Sequence, residues 1–461
     1  GFIWGFLKYY HPNIATGDYN WDYELFRILP VVLNSEKGIK RDEILVKWIN
    51  NFGQFSEGRE ININSSEIKI EPDLNWIKTS TFSVELTTLL LKVKNANRQV
   101  ENYYVGLQPF VGNPDFKNEN AYSSMKYPDA GFRLLALYRY WNIVQYYFPY
   151  KNLFDEDWEK ALEEFIPKII SANNETDYTL AVLELMGRVH DTHANIWGVN
   201  QVLNNYFGVR YAAVELTFIE NMPVVTGYYD EKSGKDAGLE IGDIITAINN
   251  IPIEVIIKDR LKYAPASNYS TQLRDIANNL LRTNDSIINI EFIRNNKTGL
   301  KQITAYSKDK INIYSKFSRK DTCFKMLDPN IAYIYPGTIQ TAYLPEIMKQ
   351  TKNTKGIIID MRCYPSEFVV FSLGEYLMPN ASEFVKFSKG SITDPGVFTL
   401  TDVLKVGAEN KDYYTGKVIL LINEITQSQA EYTTMAFRVA PQAMVIGSTT
   451  AGADGNVSQF F

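Results

Sequence analysis

The apolar positions of the chain fall into runs that predict strands and helices in different regions. Residues 418–422 form an uninterrupted apolar run, which predicts a buried parallel strand. A short polar turn follows, and residues 429–439 then place Ala430, Thr434 and Phe437 on one stripe at helical spacing. This pattern predicts a strand, a turn and a helix in direct succession.

From about residue 311 onward, strand and helix patterns alternate, as is typical of an α/β fold. The predicted strands are residues 331–335, 356–360, 418–422 and 443–447, and the predicted intervening helices include residues 343–350 and 371–378. Residues 207–306 differ, because short apolar segments there alternate with polar turns. They predict a separate β-rich domain.

The N-terminal third contains an internal repeat with an offset of 137 residues. The recurring markers are Trp4, Tyr9, Tyr10, Pro12, Trp21 and Pro30, matched by Trp141, Tyr146, Tyr147, Pro149, Trp158 and Pro167. This predicts a duplicated helix, loop and helix, against the alternative of two unrelated aromatic helices. Residues 53–125, between the copies, carry β-prone stretches at residues 61–64 and 82–86, which predict a small insertion.

Composition narrows the class of protein. A chain of 461 residues is too long for one hydrophobic core, and its 45% hydrophobic content predicts folded domains. No apolar run is long enough to span a membrane. The net charge of −6 and the scattered Lys and Arg residues argue against nucleic acid as a partner. Cys323 and Cys363 allow one disulfide, which no spacing pattern supports.

The β-rich segment contains a compact turn motif. Gly242 and Asp243 form a tight turn into a strand, and two asparagines at residues 249–250 form the turn out of it. Together with Gly238 and Leu239, this motif resembles the signature of PDZ domains. The resemblance implies that the four residues belong to a module that binds an extended peptide at a sheet edge. A generic β-rich domain with a Gly-Asp turn is the alternative.

Local patterns with candidate chemistry recur along the chain. They are Thr192-His193 after a helix that ends at Gly187, Asp360 and Arg362 at the end of a strand, Ser428 between strand and helix, and a glycine-rich loop at residues 447–456 with Gly452 and Asp454. A serine between strand and helix lies where backbone N–H groups converge on a developing negative charge. Ser428 and Glu431 also fit a capping box, which requires no chemistry.

Together these patterns resemble the C-terminal processing (tail-specific) serine peptidases, and among them the tricorn-like, Bacteroides-type branch. The resemblance implies that Ser428 is the nucleophile and that Gln429 N–H forms half of the oxyanion hole. In the housekeeping branch a lysine about two dozen residues after the serine is the base, but Ala453 occupies that place. The tricorn-like branch uses a distant histidine after a small hydroxyl residue, which Thr192 and His193 match.

The chain has three histidines, His11, His190 and His193, and the resemblance favours His193 as the general base. We expect His11 to cap or pack at a helix end, since Phe148 replaces it in the second repeat, and His190 to be structural. A metal site at His190, Asp191 and His193 is the alternative. No glutamate or cysteine completes a zinc pattern there, and we predict neither a metal nor a cofactor.

The sequence departs from the family pattern at the second oxyanion donor. The family strand usually ends in Asp-x-Arg-x-Asn-x-Gly-Gly, whose glycine N–H supplies that donor. Here Asp360 and Arg362 are followed by Ser366 and Glu367, and we expect one of these two N–H groups to replace it. Asp360 and Arg362 are predicted to be buried partners that brace the strand.

The branch also orients its histidine with a glutamate far beyond the serine, and we expect that residue to lie past Phe461. Asp191 and Asp454 are weaker substitutes within the chain. Because the sequence opens in an amphipathic segment and stops inside a predicted strand, we expect a leader in front and a further piece behind. The resemblance implies a periplasmic, secreted or outer-membrane-associated location.

The sequence therefore predicts a multidomain α+β serine endopeptidase that acts on peptide or protein substrates. Its predicted segments are helical copy 1 (1–52), a β-prone insertion (53–125), helical copy 2 with the candidate base (126–206), a PDZ-like domain (207–306) and a ClpP/crotonase-like α/β core, truncated at its C-terminus (307–461). The alternative is a catalytically silent peptide-binding or scaffold protein of the same fold. A polysaccharide-binding or envelope scaffold rests on the aromatic content of 13% alone.

Overall fold

The computed structural model describes residues 1–36, 38–58, 67–99, 101–314 and 322–461. The β-prone stretch predicted at residues 61–64 lies outside them. The described residues form two compact units. Unit 1 comprises Gly1–Ala181, Lys386–Asp402 and Asn456–Phe461, and unit 2 comprises Val182–Val385 and Val403–Gly455.

The helices cover both units, and the chain passes from unit 1 into unit 2 within the eighth. They are α1 (Phe2–Tyr10), α2 (Trp21–Leu33), α3 (Ile39–Asn50), α4 (Trp76–Thr79), α5 (Val84–Lys94), α6 (Ala130–Tyr147), α7 (Trp158–Ile170), α8 (Glu175–Gly187), α9 (Gln201–Phe207), α10 (Glu231–Asp236), α11 (Ile253–Arg260), α12 (Tyr269–Leu280), α13 (Leu344–Thr351), α14 (Val370–Leu377) and α15 (Gln429–Phe437). In the described part of the chain, none of them is long and apolar enough to cross a membrane.

The strands are concentrated in unit 2. They are β1 (Ile68–Ile70), β2 (Val105–Leu107), β3 (Pro114–Phe116), β4 (Arg210–Ala212), β5 (Val214–Ile219), β6 (Met222–Tyr228), β7 (Ile244–Ile248), β8 (Ile251–Pro252), β9 (Arg282–Thr283), β10 (Ile287–Arg294), β11 (Lys297–Ser307), β12 (Phe324–Asp328), β13 (Ile331–Ile334), β14 (Gly356–Asp360), β15 (Ser382–Val385), β16 (Ser388–Gly390), β17 (Phe398–Leu400), β18 (Leu404–Val406), β19 (Lys417–Ile422) and β20 (Ala443–Gly447).

The two predicted copies of the repeat in unit 1 contain the same tryptophan contact. Trp4 Nε1 donates to Trp21 O at 2.9 Å, and Trp21 Nε1 donates to Trp4 O at 3.0 Å. Trp141 and Trp158 exchange the same two hydrogen bonds at 2.8 and 3.1 Å. The paired rings stack with 6.2 Å between their centroids in the first copy and 6.3 Å in the second. A duplicated helical unit would produce this agreement.

The ends of the helices also correspond between the copies. Asn20 and Asp157 cap α2 and α7, each with a side-chain oxygen that accepts a backbone N–H of the first turn. His11 and Phe148 are the C-terminal caps of α1 and α6. His11 is fully buried, and its ring centroid lies 4.8 Å from that of Phe55. The prediction that His11 packs at a helix end is confirmed.

The insertion between the copies is more helical than the sequence suggested. Residues 82–86, predicted to be β-prone, instead lead into α5, where Ser83 Oγ accepts the Leu86 N–H at 3.2 Å. Leu86, Leu90 and Val93 are all fully buried, at the spacing of one helix face. The β-strand prediction was wrong because five residues of mixed polarity do not distinguish a strand from the first turn of an amphipathic helix.

Two strands of the small sheet in unit 1, β16 and β17, come from a distant part of the sequence. The sheet has the order β1-β17-β16, and β17 pairs antiparallel with both neighbours. The segment Lys386–Asp402 therefore belongs to unit 1, although the sequence grouped it with the C-terminal core. Strand pairing across more than 300 positions leaves no local pattern in the sequence.

The β-rich part of unit 2 is an eight-stranded sheet. Its order is β5-β6-β7-β10-β11-β4-β9, and β8 pairs with β7. Strand β5 is an edge, and α12 packs against it. Buried aliphatic side chains from these elements form one continuous core.

The residues of the predicted peptide-binding motif support this core. Leu239 and Asp243 are each only 1% exposed, so neither has a surface for a peptide. Asp243 instead pairs with Arg294, whose guanidinium also donates to Gly238 O at 3.0 Å. Gly242 adopts a left-handed φ of 100°, which the tight turn requires. We therefore correct the peptide-contact prediction for this motif to a supporting role within the fold.

The second sheet of unit 2 has the order β12-β13-β14-β19-β20. Strands β13, β14, β19 and β20 run parallel, which confirms the strand and helix predictions for this region. The carboxyl ends of β14, β19 and β20 therefore meet at one edge of the sheet. Gly447 is required there because a Cβ at this position would lie 1.9 Å from Ile422 O. Cys323 and Cys363 are free thiols.

Replacing Trp158 with Phe should lower the free energy of unfolding of unit 1. The substitution removes the indole N–H and with it the hydrogen bond to Trp141 O inside helix α6, which costs about 0.5–1.5 kcal/mol. Trp76 is the matched control, because its buried indole N–H has no acceptor among the described residues. Urea unfolding followed by fluorescence should show a larger loss for Trp158→Phe than for Trp76→Phe. Equal losses would mean that the reciprocal hydrogen bonds do not stabilise the repeat.

Candidate active site

Ser428 is the residue that joins the turn after β19 to helix α15. Its backbone has a φ of 55° and a ψ of −118°, a left-handed conformation that is strained for a serine. The side chain is partly exposed at the carboxyl edge of the parallel sheet. The N–H group of the next residue, Gln429, donates to no acceptor among the described residues. A hydroxyl thus stands beside an open backbone donor, as predicted for a nucleophile.

The Glu431 carboxylate holds Ser428 in this conformation. Ser428 N–H donates to Glu431 Oε2 at 2.9 Å, so Glu431 supplies one half of the predicted capping box. The other half of the capping box is also present, because Ser428 Oγ faces the Glu431 N–H, although this contact is not a regular cap hydrogen bond. In a capping box the hydroxyl oxygen only accepts, so the Ser428 hydroxyl proton remains available to a base.

The same carboxylate anchors the glycine-rich loop. Glu431 Oε1 accepts from Thr450 Oγ1 at 2.6 Å and from Gly452 N–H at 2.7 Å, and Oε2 accepts from Ala453 N–H at 3.0 Å. Glu431 is buried, and these donors replace the water that its charge has lost. Gly452 has a φ of 67°, and this left-handed conformation allows the loop to turn toward the carboxylate.

The turn before Ser428 is fixed from two sides. Buried Thr426 donates its hydroxyl to Met361 O at 2.9 Å, and its own carbonyl accepts Ala451 N–H at 2.9 Å. From helix α12, the Arg274 guanidinium donates to Glu424 O at 2.8 Å and to Gln427 Oε1 at 3.0 Å. The backbone that presents Ser428 therefore has little freedom to move.

His193 lies in a tight turn just after helix α8. His190 adopts a left-handed φ of 51°, which reverses the chain and agrees with its predicted structural role. Asp191 Oδ1 then accepts the His193 N–H at 2.8 Å, and the Trp197 indole donates to His193 O at 3.0 Å. These bonds fix the histidine backbone and leave its partly exposed imidazole free to react. In the described residues, no group of three or more His, Cys, Asp and Glu side chains suits a metal ion.

The turn that carries His193 is linked to the turn that carries Ser428. Thr192 Oγ1 donates to Ala451 O at 2.9 Å. Ala451 precedes Gly452, whose N–H donates to Glu431, and Glu431 in turn accepts Ser428 N–H. The structure thus brings the predicted base and nucleophile segments together through one chain of hydrogen bonds. In the described structure, the His193 imidazole and the Ser428 hydroxyl do not hydrogen-bond to each other directly.

The predicted second oxyanion donor needs a correction. Ser366 N–H already donates to Pro336 O at 3.0 Å, so it is not available to a substrate. Glu367 N–H donates to no acceptor in the residues that the structure covers. The Gln429 side chain donates to Glu367 O at 3.0 Å, and Glu367 Oε2 accepts from Thr341 N–H at 2.7 Å. These bonds place the Glu367 loop beside the open N–H group of Gln429.

Asp360 and Arg362 form the predicted brace, although only one of them is buried. Arg362 donates to both carboxylate oxygens of Asp360 at 2.8 Å, and Tyr333 donates to Oδ2 at 2.8 Å. Burial alone would raise the pKa of Asp360, but the hydrogen bonds from Arg362 and Tyr333 outweigh it and lower that pKa. The Arg362 side chain is 47% exposed, which corrects the prediction that both are buried.

Asp191 and Asp454 differ in their relation to the imidazole. Asp191 Oδ1 lies 3.9 Å from His193 Nδ1, which is too long for a hydrogen bond. Burial raises the pKa of Asp191, against the opposing hydrogen bond from His193 N–H. Burial, reinforced by the Glu431 charge, raises the pKa of Asp454 to about 7. Neither carboxylate therefore orients the His193 ring in this structure.

Sequence reasoning missed two residues of this site. Ser267 and Arg274 both lie in the β-rich part of unit 2, and they contact the His193 turn and the Ser428 turn respectively. Nothing in their local sequence marks them, because both act through hydrogen bonds over long sequence distances. Only the fold could identify them.

Comparisons with known proteins relate part of the chain to a peptidase family and its fold to solved structures. Residues 330–461 match the family model described as Peptidase family S41. A comparison with curated protein sequences finds no match. Among solved structures, mature CPAF complexed with lactacystin is similar over 71% of this chain and 86% of that chain, with 11% identity and a TM-score of 0.54. Mature CPAF alone is similar over 70% of this chain and 84% of that chain, with 10% identity and a TM-score of 0.52.

A third similar structure is a putative peptidase from Parabacteroides merdae. It covers 71% of this chain and 78% of that chain, with 13% identity and a TM-score of 0.36. At these identities the two CPAF structures show a shared fold, and the Parabacteroides structure adds no argument. The family match over residues 330–461 includes Ser428 and the glycine-rich loop.

The free energy of unfolding should decrease as the pH rises from about 4 to about 7, and Asp454→Asn should make this decrease smaller. The pKa of Asp454 is about 7 in the folded chain against an ordinary value of 3.8, so the folded chain binds this proton more tightly than the unfolded chain does. The resulting stabilisation is complete below about pH 4 and is lost as the pH rises through about 7. Asparagine resembles the protonated acid and removes the dependence.

Urea unfolding at several pH values would measure this effect. Asp412→Asn, at an exposed aspartate, is the control and should follow the parent chain. A parallel pH dependence in the parent chain and in Asp454→Asn would contradict the raised pKa.

Proposed function

We propose that the chain is a serine-type peptidase of the C-terminal processing kind, with Ser428 as its nucleophile and His193 as its general base, and the match of residues 330–461 to the model of peptidase family S41 supports this proposal. The observation that carries this proposal is the strained backbone of Ser428 beside the open N–H of Gln429. A cap alone does not require the strained backbone of Ser428, whereas an open N–H at the first helical residue is common to helix N-termini. The proposal assigns peptide or protein substrates.

In the proposed reaction, Ser428 Oγ attacks the scissile carbonyl carbon while the His193 imidazole accepts the hydroxyl proton. The tetrahedral intermediate collapses, the C–N bond breaks, and the imidazolium gives its proton to the leaving amine. Water then attacks the acyl-serine ester, with His193 again as base, and Ser428 is regenerated. The approach of His193 to Ser428 Oγ would take place when substrate binds, since catalytic hydrogen bonds often tighten only in the complex.

The negative charge of the intermediate would be stabilised by two backbone donors. Gln429 N–H lies at the N-terminus of α15, where the helix dipole favours an anion. Glu367 N–H is the proposed second donor, held in place by the hydrogen bond from the Gln429 side chain to Glu367 O. Thr192, Gly452 and Asp360 would support the site by fixing these loops. A preformed oxyanion donor of this kind contributes about 3–4 kcal/mol to transition-state stabilisation.

We further propose that residues 207–306 form a PDZ-like module and that the parallel sheet of unit 2 belongs to a ClpP/crotonase-like core. Edge strand β5 beside helix α12 supports the first assignment, because a peptide could extend the sheet there. The corrected roles of Leu239 and Asp243 move the proposed peptide contact from the Gly-Asp turn to this edge. A periplasmic, secreted or outer-membrane-associated location remains a proposal from the family resemblance.

Labelling with a fluorophosphonate probe should test the nucleophile and base. Ser428→Ala should abolish labelling, and His193→Ala should slow it by a factor on the order of 10⁴–10⁶ if the two residues act as one unit. One control is Ser448→Ala, at an exposed serine on the same sheet edge. The other is His190→Asn, because asparagine tolerates the left-handed backbone that position 190 adopts. Both controls should label like the parent chain. Labelling that survives Ser428→Ala would exclude this serine as the nucleophile.

Peptide binding separates the peptidase from the silent peptide-binding alternative. The Ser428→Ala chain should bind a fluorescent extended peptide with the affinity of the parent chain, because edge strand β5 does not include Ser428. Anisotropy measures binding, and mass spectrometry measures cleavage by the parent chain. Binding without any cleavage or labelling would favour the silent protein, in which Ser428 only caps α15. Cleavage without detectable binding by Ser428→Ala would argue against capture at β5.

A further inference from the structure

We propose that Ser267 is a positioning residue for His193, a role that rests on the function proposed above. Ser267 belongs to the β-rich part of unit 2, in the segment between helices α11 and α12. It does not touch the imidazole. It acts instead through Thr192, the residue that precedes His193.

Ser267 and Thr192 form a reciprocal pair of hydrogen bonds, here called the clasp. Thr192 N–H donates to Ser267 Oγ at 3.2 Å, and Ser267 N–H donates to Thr192 Oγ1 at 3.1 Å. The two hydroxyl oxygens lie 3.3 Å apart. Each residue thus satisfies the backbone N–H of the other with its side chain.

The directions of the hydroxyl protons follow from these contacts. Thr192 has one hydroxyl proton, which it donates to Ala451 O at 2.9 Å. The contact between the two hydroxyls must therefore use the proton of Ser267, with Thr192 Oγ1 as acceptor. Ser267 consequently orients Thr192 Oγ1 toward the glycine-rich loop. An alanine at position 267 would remove the acceptor for the Thr192 N–H as well as this donor.

The clasp has a rigid base. Ala264 and Ala266 are buried, and Asn268 caps helix α12 while it donates through Nδ2 to Thr450 O at 2.8 Å. A Cβ at Gly452 would lie 3.1 Å from Ser267 Cβ, so the loop approaches Ser267 closely. The segment that holds Thr192 is therefore itself attached to the glycine-rich loop.

These contacts make the position of His193 depend on Ser267. The loop is bound to Glu431, and Glu431 is bound to Ser428 N–H, so the clasp fixes the histidine turn relative to the nucleophile. His193 N–H and its carbonyl are bound to Asp191 and Trp197, within or next to the same turn. Among the described hydrogen bonds of residues 190–194, two connections lead to the glycine-rich loop. Thr192 binds Ala451 O directly, and the clasp binds Thr192 to the Ser267 segment, which is attached to the loop.

The test uses Ser267→Ala in the full chain and in a His193→Ala background. In the parent background the rate of fluorophosphonate labelling should fall roughly 10–100-fold, the scale expected for a base displaced by about 1 Å. In the His193→Ala background the same substitution should cause no further loss, since there is no imidazole to position. Peptide cleavage should show the loss in kcat with little change in KM. Gln272→Ala is the matched control, because it removes a hydrogen bond to Ala264 O in the same segment without touching Thr192.

The other outcomes are distinct. An equal loss in both backgrounds would mean that Ser267 only maintains the fold and would overturn the inference. Normal labelling of Ser267→Ala, with His193→Ala inactive, would overturn it while leaving the proposed function intact. Normal labelling of His193→Ala would reject the proposed base and this inference with it. If Ser267→Ala does not fold, Thr192→Val removes the Oγ1 half of the clasp together with the bond to Ala451 O. It should also slow labelling in the parent background and cause no further loss in the His193→Ala background.

Discussion

The candidate site depends on one buried carboxylate. Glu431 accepts hydrogen bonds from Ser428 N–H, Thr450, Gly452 and Ala453, so a single negative charge organises both Ser428 and the loop beside it. A buried charge with fewer donors would be costly, and this requirement fixes where the loop can lie. The left-handed conformation of Ser428 persists because the surrounding contacts determine it more strongly than its own preference does.

The two sheets of unit 2 contribute to the site in different ways. The parallel sheet presents Ser428, the candidate nucleophile, because the ends of β14, β19 and β20 meet at one edge. The β-rich part supplies support through Ser267 and Arg274, whose contacts reach the His193 turn and the Ser428 turn. The candidate site is therefore shared by two folded regions that are separate in sequence. A substitution in one region can disturb chemistry whose reacting groups lie in the other.

Much of the parallel sheet could be predicted from the sequence, because its strands are uninterrupted apolar runs and its helices have a clear apolar stripe. Short motifs mark Ser428 and His193 as candidates, and their catalytic roles stay predictions. Two features had no local signal, since β17 pairs with a strand more than 300 residues away and Ser366 N–H is occupied by a distant carbonyl. In both cases a tertiary contact decided the outcome, and a single sequence does not contain it. Residues 82–86 were instead too few to distinguish a strand from a helix start, although Ser83 and the spacing of Leu86 and Leu90 carry a helical signal.

The distribution of tryptophan gives the chain an optical asymmetry. Of its seven tryptophans, six are buried and belong to unit 1, including the two stacked pairs. The seventh, Trp197, is 63% exposed in unit 2, and its indole donates to His193 O. Emission from an exposed indole lies to the red of emission from buried ones, and only the exposed ring is open to a soluble quencher. The protein therefore carries its own spectroscopic reporter beside the candidate base, against a background that is shielded within the helical repeat.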